Sequence, residues 1–328
     1  MQDYELAILE KYHINVKSTR KTRGAFFCDT DEGLLLLREA GMSGKRIPAL
    51  YRLCGHLIEQ GYIRVDQMVA NEDGEYVSTS EDGTRYILKH WFYGRECDIR
   101  RNGEVLEAAR NLAKLHLLMH GCIEGAEAGE PYLREEYLRH NRELRKVRKF
   151  MRAQSPKGEF ELAFLECFDA MYGWAEAALT CLEDFDYKGL YRESMEKNSL
   201  IHGDYNYHNI LMTPEGIAVT NFDRFRGDVQ AEDLYYFLRK AMEKHGWDKK
   251  LGDHILNVYG AVRPISGEEM EYLKVRFVYP EKFWKIADSY YRSNKAWISV
   301  KSVEKLKVAM MQTEEKKDFL ENIFSFRL

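Results

Sequence analysis

Short apolar runs alternate with turn dipeptides from about residue 14 to residue 92, a pattern typical of antiparallel strands. Leu34–Leu37 is one such run, and Asp73-Gly74 and Asp82-Gly83 stand where two-residue hairpin turns are expected. Residues 47–60 interrupt the strands with leucines at helical spacing. The pattern predicts a small lobe over residues 1–92, made of antiparallel strands and one helix.

The hydrophobic period changes after Gly94. Apolar positions three and four apart between Leu106 and Leu117 predict an amphipathic helix that ends near Gly121, and helical spacing dominates from there to the C-terminus. We therefore predict a second, larger and mostly helical lobe over residues 93–328. The expected fold class is α+β.

One segment of the larger lobe carries a compact group of polar residues. Residues 202–204 read His-Gly-Asp, and two apolar runs after Asn209 flank a turn at residues 214–216. This pattern predicts a loop, a strand, a turn and a second strand, which brings the loop close to the end of the second strand. The oxygen-bearing side chains expected to converge there are Asp204, Asn209, Asn221 and Asp223.

These side chains suit phosphoryl transfer. Mg²⁺ binds a few oxygen ligands together with phosphates, and transfer needs a carboxylate that engages the acceptor hydroxyl. Asp204 is the candidate catalytic residue, and Asn209, Asn221 and Asp223 are candidate metal ligands. A simpler interpretation is that Asp204 and Asn209 only cap turns around a buried His202. The five-residue spacing, with His-Gly before it and an apolar strand after it, favours the kinase-like interpretation.

Composition excludes several classes of protein. The 328 residues include 49 Lys+Arg and 53 Asp+Glu, for a formal net charge of −4, so a nucleic acid is not an expected partner. No apolar run is long enough for a membrane span, and the start lacks the apolar region of a signal peptide. Six scattered cysteines form no CxxC pair, which predicts free, buried thiols in a reducing, cytosolic compartment.

The near-balance of charge conceals two blocks of opposite sign. Residues 131–157 contain nine Lys/Arg and three Glu, whereas residues 159–196 contain ten Asp/Glu and two Lys/Arg. The blocks either face each other as an antiparallel helical pair, or the basic one is offered to an anionic partner such as nucleic acid. The first interpretation is favoured.

The His-Gly-Asp segment resembles the catalytic loop of the aminoglycoside phosphotransferase and choline kinase group, whose fold is that of protein kinases. More narrowly, the chain resembles the CotS family of bacterial spore coat proteins, which belong to the same superfamily. The matching features extend over nearly the whole chain and are Arg23–Ala25, Thr30–Leu37, Trp91–Glu96, Asn111–His116, Ile201–Leu211, Asn221–Asp223, Asp233–Lys240 and motifs between Tyr279 and Ile298.

This resemblance implies a two-lobed kinase-like fold with an ATP and Mg²⁺ site between the lobes. Trp91 to Gly94 would form the hinge, with Trp91 and Phe92 beside the purine, and Gly24 would belong to a loop over the phosphates. Arg38 would occupy the position of the phosphate-pairing lysine of kinases. Asp233 matches the Asp that braces the catalytic loop, although a helix N-cap is an equal alternative.

Two positions depart from active kinases. Arg38 replaces a compact ammonium by a longer, forked cation, and the predicted helix offers only Glu59 as its acidic partner. Asn221 replaces a metal-binding carboxylate by an amide, a change that is usual in the CotS pattern. In an extended segment Asp223 would project to the same side and supply the lost charge.

These departures favour one function over another. The favoured function is that of a spore coat protein on a kinase-like scaffold that binds a nucleotide, with weak or absent phosphotransferase activity. Its implied partners are other spore coat proteins, and its location is the mother-cell cytoplasm and then the spore coat. The alternative, favoured by the intact His-Gly-Asp core and Asn209, is an ATP- and Mg²⁺-dependent kinase that phosphorylates a hydroxyl of a small molecule or carbohydrate.

Overall fold

The computed structural model describes residues 6–22, 24–121, 126, 128–292 and 300–328. They form two compact units. Unit 1 comprises the described residues of 1–128 and 197–236, and unit 2 comprises those of 129–196 and 237–328. Arg23, Cys122 and the motif residues 293–298 lie outside the described residues.

An antiparallel sheet forms the N-terminal part of unit 1. Its strands run in the order β1-β2-β3-β6-β4, and β5 pairs with β6. The strands are β1 (Val16–Thr22), β2 (Ala25–Thr30), β3 (Gly33–Glu39), β4 (Met68–Val69), β5 (Ser78–Thr79) and β6 (Arg85–His90). The predicted small antiparallel sheet is therefore present.

Side chains alternate between the two faces of this sheet. One face packs against the 3-10 helix Leu6–Lys11 in an apolar cluster that includes Leu35 and Leu37 of β3. The register pairs Arg38 with Ile87 and Leu36 with Lys89, so these side chains share the opposite face. The two cations of strands β3 and β6 are thus close neighbours.

The helical segment predicted in the middle of the strands is α1 (Arg46–Glu59). Its leucine stripe is buried as the spacing predicts. The helix ends just before Gly61, whose φ of +85° is the left-handed conformation common after a helix C-terminus. The predicted helix is confirmed.

The two predicted hairpin turns have different outcomes. At Asp82-Gly83 the N–H of Gly83 donates to the carbonyl of Ser80, and the chain turns from β5 into its partner β6. Asp73-Gly74 also forms a turn, but β4 and β5 on either side of it both pair with β6 and not with each other. The hairpin predicted at Asp73-Gly74 is wrong, because β4 and β5 lie one after the other along the same edge of β6 and so cannot pair with each other.

The remainder of unit 1 combines one long helix with short strands. The predicted strand, turn and strand after Asn209 form a hairpin in which Thr213 pairs with Gly216, and β7 pairs with its first strand. The elements are β7 (Arg95–Glu96), α2 (Asn102–Leu118), β8 (Leu200–Ile201), β9 (Ile210–Thr213), β10 (Gly216–Val219) and β11 (Arg226–Gly227). Helix α6 (Ala231–Lys244) follows and contains the division between the units.

Unit 2 is helical. Its further helices are α3 (Leu133–Ala153), α4 (Glu159–Glu183), α5 (Tyr187–Glu196), α7 (Lys249–Gly260), α8 (Gly267–Val278), α9 (Glu281–Arg292), α10 (Val300–Met311) and α11 (Thr313–Phe324). Among the residues that the structure describes, no helix is both long enough and apolar enough to cross a membrane.

The basic and acidic blocks lie on helices α3 and α4, which pack together. Arg134 near the start of α3 lies 3.6 Å from the carboxylate of Glu183 at the end of α4, and Arg148 lies 2.7 Å from Asp169. These pairings run in opposite directions along the two helices. The favoured interpretation, an antiparallel pair that neutralises its own charge, is confirmed.

The five cysteines within the described residues are all free, as predicted. Cys28, Cys54, Cys97 and Cys167 are buried, and Cys181 is half-buried. Burial raises the pKa of Cys97 and of Cys167 to about 12. Such thiols remain protonated and unreactive at neutral pH.

Candidate functional site

One buried carboxylate holds the start of the candidate catalytic loop. Asp233 accepts hydrogen bonds from the N–H groups of His202 (2.6 Å) and Gly203 (2.9 Å). Burial favours a higher pKa, but hydrogen bonds from His116 and from the loop lower the pKa of Asp233 below its usual value. Helix α6 begins two residues earlier, at Ala231, so Asp233 is a brace of the loop and not the helix N-cap.

Gly203 is required by a close approach between two segments. Its φ is +78°, and a Cβ at this position would overlap the carbonyl oxygen of Arg224. Glycine alone combines this conformation with the absence of a side chain. The His-Gly-Asp loop therefore packs directly against the backbone that follows Asn221.

His202 is fully buried between the same two segments. Its Nε2 lies 3.0 Å from the carbonyl oxygen of Thr220 and must donate to it, whereas Nδ1 accepts from the N–H of Asp204 at 3.1 Å. This pattern requires the neutral tautomer with the proton on Nε2. Both ring nitrogens are engaged with backbone, so His202 positions the loop.

Three of the predicted site residues are joined by hydrogen bonds. The amide Nδ2 of Asn221 donates to Oδ1 of Asn209 at 2.9 Å, and Nδ2 of Asn209 donates to the carbonyl oxygen of Asp204 at 2.8 Å. The carboxylate of Asp204 accepts from Nδ2 of Asn206 at 2.8 Å. The loop and the end of the hairpin therefore converge as the sequence predicts.

Asp223 is placed differently from the extended arrangement that we predicted. Asn221 has φ +63° and ψ +50°, and residues 222–224 form a 3-10 turn. Asparagine tolerates this left-handed conformation better than most residues. The turn places Asp223 beside two cations, so the expectation of an extended segment is wrong.

Asp223 forms two ion pairs across the face of the sheet. Its Oδ2 pairs with Arg38 Nη2, and its Oδ1 lies 3.1 Å from Lys89 Nζ. Burial alone would raise the pKa of Asp223, but the charges of Lys89 and Arg38 lower it to about 2. Asp223 is therefore ionised at neutral pH, with two cations beside its one negative charge.

Lys89 also pairs with Asp66, and sequence reasoning missed both residues. Lys89 Nζ lies 2.9 Å from Asp66 Oδ2, and both side chains are 0% exposed. Asp66 Oδ2 accepts a further hydrogen bond from the N–H of Asn221 at 2.8 Å. A continuous network thus runs from Arg38 to Asn221. The signal that could have revealed it is a lysine directly after the apolar residues of β6.

The acidic partner of Arg38 is not on helix α1. Glu59 makes no ion pair within the described residues. Helix α1 instead contributes Arg46, whose Nη2 donates to the carbonyl oxygens of Asp223 (3.1 Å) and Phe225 (2.7 Å). The strand-to-helix ion pair of active kinases is therefore replaced by contacts to the segment after Asn221.

The predicted hinge follows Lys89 by two residues. The N–H of Trp91 donates to the carbonyl of Leu34 at 2.8 Å, and the Trp91 ring lies 6.0 Å from that of Phe27. In the described part of the chain, the N–H of Phe92 has no hydrogen-bond partner. This segment therefore combines a half-buried aromatic ring with a backbone donor that a ligand can use.

Gly24 lies in a very short loop. The register pairs Thr22 with Ala25, so only two residues separate β1 from β2. Gly24 is exposed with φ +64°, which suits such a tight turn. A two-residue turn offers few backbone N–H groups, and its capacity to cover phosphates is small.

The side chains predicted as metal ligands fit a divalent cation poorly. Mg²⁺ prefers one or two carboxylates in addition to phosphate oxygens. The predicted ligands provide two amides, one of which accepts from the other, and the single carboxylate of Asp223 is already neutralised by two cations. Among the described residues, no group of three or more His, Cys, Asp or Glu could hold a metal ion.

Comparisons with solved structures identify the fold. An aminoglycoside phosphotransferase from Alicyclobacillus acidocaldarius superimposes with a TM-score of 0.87 at 19% identity, covering 97% of this chain and 95% of that chain. An amicoumacin kinase in complex with AMP-PNP, Ca²⁺ and Ami has a TM-score of 0.61 at 14% identity, covering 98% of this chain and 94% of that chain. The predicted kinase-like α+β fold is confirmed.

Comparisons of sequence identify the family. Spore coat protein S of Bacillus subtilis (strain 168) is 24% identical over 317 residues, which cover 95% of this chain and 90% of that protein. The family model described as spore coat putative kinase YutH matches residues 5–323. The resemblance to kinase-like spore coat proteins is confirmed, and the chain belongs to the spore coat putative kinase YutH family.

Proposed function

We propose that this protein is a spore coat component on a kinase-like scaffold that binds a nucleotide with little dependence on Mg²⁺ and has weak or absent phosphotransferase activity. The observation that carries the proposal is the pairing of Asp223 with both Arg38 and Lys89. It leaves two amides and one neutralised carboxylate where a kinase would hold its metal. Positive charge from the protein takes over the metal's role towards the phosphates.

Arg38 is the proposed phosphate ligand. Its side chain is 22% exposed, so that a ligand can reach it, and its Nε is a buried donor without a partner in the described residues. A guanidinium presents donors in a planar fork that matches phosphate oxygens. Lys89 is fully enclosed and holds Asp223 in place when Arg38 turns to the phosphates.

The nucleotide base is proposed to lie against the hinge. The free N–H of Phe92 supplies a donor for a purine, and the ring of Trp91 supplies an aromatic wall. The amicoumacin kinase of the same fold was crystallised with the ATP analogue AMP-PNP. Gly24 is assigned only a minor part because its turn is short.

Weak catalysis follows from the charges at the site. Phosphoryl transfer depends on cations that neutralise the charge developing between donor and acceptor. Asp204 is retained as the candidate base, but Arg38 and Lys89 are each shared with Asp223. The remaining stabilisation is too small for an efficient kinase.

Nucleotide binding is tested by thermal denaturation with ATP, in MgCl₂ and in EDTA. We expect ATP to raise the melting temperature equally in both, and Arg38→Met to abolish the rise. Lys17→Met, an exposed cation on β1, is the matched control and keeps the rise. A rise that requires Mg²⁺ and disappears in Asn209→Ala would contradict the proposal.

The coat role rests on family membership and is tested separately. A fluorescent fusion should be diffuse in the mother cell early in sporulation and then collect on the developing spore, where other coat proteins are its proposed partners. A fusion that stays diffuse until the spore is released would rule out this role.

The alternative is an active kinase that phosphorylates a hydroxyl of a small molecule or carbohydrate. The arrangement that favours it is the braced loop, in which Asp233 and His202 position Asp204. Asn209, Asn221 and Asp223 would then hold Mg²⁺, which would supply positive charge to the phosphates. Transfer of the γ-phosphate of labelled ATP to a component of a sporulating-cell extract, by the wild type but not by Asp204→Ala, would establish this function.

A further inference from the structure

Unit 2 contains a cavity with aromatic walls that is separate from the residues discussed above. Its volume is about 50 Å³, and its mouth is open to solvent. The walls include buried rings from four parts of the unit: Trp174, Trp247, Phe277 and Phe283. Flat apolar walls of this kind favour a ligand with an apolar body.

The amine of Lys316 on α11 lies at this cavity. Its Nζ is 4.9 Å from the centre of the Trp174 ring and 5.4 Å from that of Trp247. Both distances are within the range of cation–π attraction. Within the described residues the amine of Lys316 makes no salt bridge and no hydrogen bond, so its charge has aromatic contacts but no counter-ion.

The acids that line the cavity are already paired. Glu243 lies 2.6 Å from Arg239 and 3.9 Å from Lys282, and Glu281 lies 2.8 Å from Lys285. Three cations and two carboxylates therefore line the space. The excess positive charge is the one on Lys316.

The surroundings of Lys316 disfavour its charged form. Burial lowers its pKa to about 7, Glu243 opposes the shift and Arg239 adds to it. An unpaired ammonium in apolar surroundings is stabilised by any anion that reaches it. The cavity thus combines a partner for negative charge with surfaces for an apolar group.

We propose that this cavity binds a small organic carboxylate, whose negative group pairs with the Lys316 ammonium and whose apolar body packs against Trp174 and Trp247. A cationic ligand is disfavoured because the lining is already positive. Inorganic phosphate would satisfy the charge but would leave the aromatic walls without contact. The site is independent of the proposed nucleotide function, since all its residues belong to unit 2.

The test uses benzoate as the probe and calorimetric titration of the full chain at pH 6, where Lys316 is protonated. We expect saturable binding that weakens at least tenfold in Lys316→Met and is retained in Lys316→Arg. Lys317→Met is the matched control, because Lys317 is the next residue and already pairs with Glu314 at 2.8 Å. That variant should bind as the wild type does.

Two further ligands test the contributions of the negative charge and of the apolar body of benzoate separately. Benzamide has the same body without the charge and acetate has the charge without the body, and we expect both to bind at least tenfold more weakly than benzoate. Absence of benzoate binding to the folded wild type, or equal binding by wild type and Lys316→Met, would overturn the proposal. Equal binding of acetate and benzoate would also overturn it, because the aromatic walls would then contribute nothing.

Discussion

Replacing Lys89 by methionine tests the network that holds the candidate site together. Methionine keeps most of the length and the apolar stem but removes the charge. The carboxylate of Asp66 would remain fully buried, with the N–H of Asn221 as its one hydrogen-bond donor, since its Oδ1 already lacks a partner in the described residues. Removing one member of a buried ion pair costs about 3–5 kcal/mol.

The expected loss of stability is larger for the Lys89–Asp66 pair than for the Arg38–Asp223 pair. Both side chains of the Lys89–Asp66 pair are 0% exposed, so water cannot screen the remaining charge. The side chains of Arg38 and Asp223 are each 22% exposed, and Asp223 keeps Lys89 when Arg38 is removed. We expect Arg38→Met to cost only about 1 kcal/mol.

The assay is urea unfolding, combined with hydrogen exchange at the Asn221 amide. Exchange of that amide reports directly on the bond to Asp66, and it should accelerate strongly in Lys89→Met. Adding Asp66→Asn should restore about 2 kcal/mol, because a neutral amide oxygen still accepts from Asn221 without a buried charge. The reasoning is refuted if Lys89→Met costs no more than Arg38→Met, or if Asp66→Asn restores nothing.

Three other changes test separate parts of the site. Gly203→Ala should lower the melting temperature far more than Gly74→Ala, because both glycines have positive φ but only Gly203 faces a backbone carbonyl; equal losses would contradict the close approach. Asp233→Asn should accelerate exchange at the His202 and Gly203 amides, and unchanged exchange would contradict the brace. Asp223, with its pKa lowered from 3.8 to about 2, should contribute about 2 kcal/mol above pH 4 that is lost as the pH falls to 2. Asp223→Asn should therefore lack this part of the acid dependence of stability, and an identical acid profile would contradict the ion pairs.

The local features of the candidate site could be predicted from the sequence. Asp204 and Asn209 are five residues apart in one loop, and the hairpin after Asn209 returns the chain to that loop within a few residues. Such short-range geometry follows from turn residues and apolar runs alone. The buried stripe of helix α1 and the antiparallel pairing of α3 with α4 follow from spacing and charge in the same way.

The ion-pair network could not be predicted, because it depends on strand register. Lys89 reaches Asp223 only because β6 pairs with β3 so that Lys89 and Arg38 share one face. A shift of one residue would turn Lys89 to the apolar cluster on the other face. Asp66 lies outside any strand or helix, and no local pattern marks it as a partner. The 3-10 turn likewise brings Asp223 to cations that lie far away in the sequence.

A lysine on β6 changes how the departure at Arg38 is understood. With sequence alone, arginine in place of lysine indicates a longer, forked cation for which the predicted helix offers only Glu59 as an acidic partner. In the structure a lysine from the next strand reaches the same carboxylate, and Arg38 has a buried donor to spare. Under the proposed function, fixed cations would stand in place of an acid-rich metal environment, an arrangement that would suit holding phosphates more than transferring them.

The most direct test of this account is calorimetric titration of the wild-type protein with ATP, once in MgCl₂ and once in EDTA. We expect the two dissociation constants to agree within about threefold and no ADP to form during the titration. Binding that is at least about a hundredfold tighter in MgCl₂, with hydrolysis or transfer that Asp204→Ala abolishes, would contradict it and establish a metal-dependent kinase.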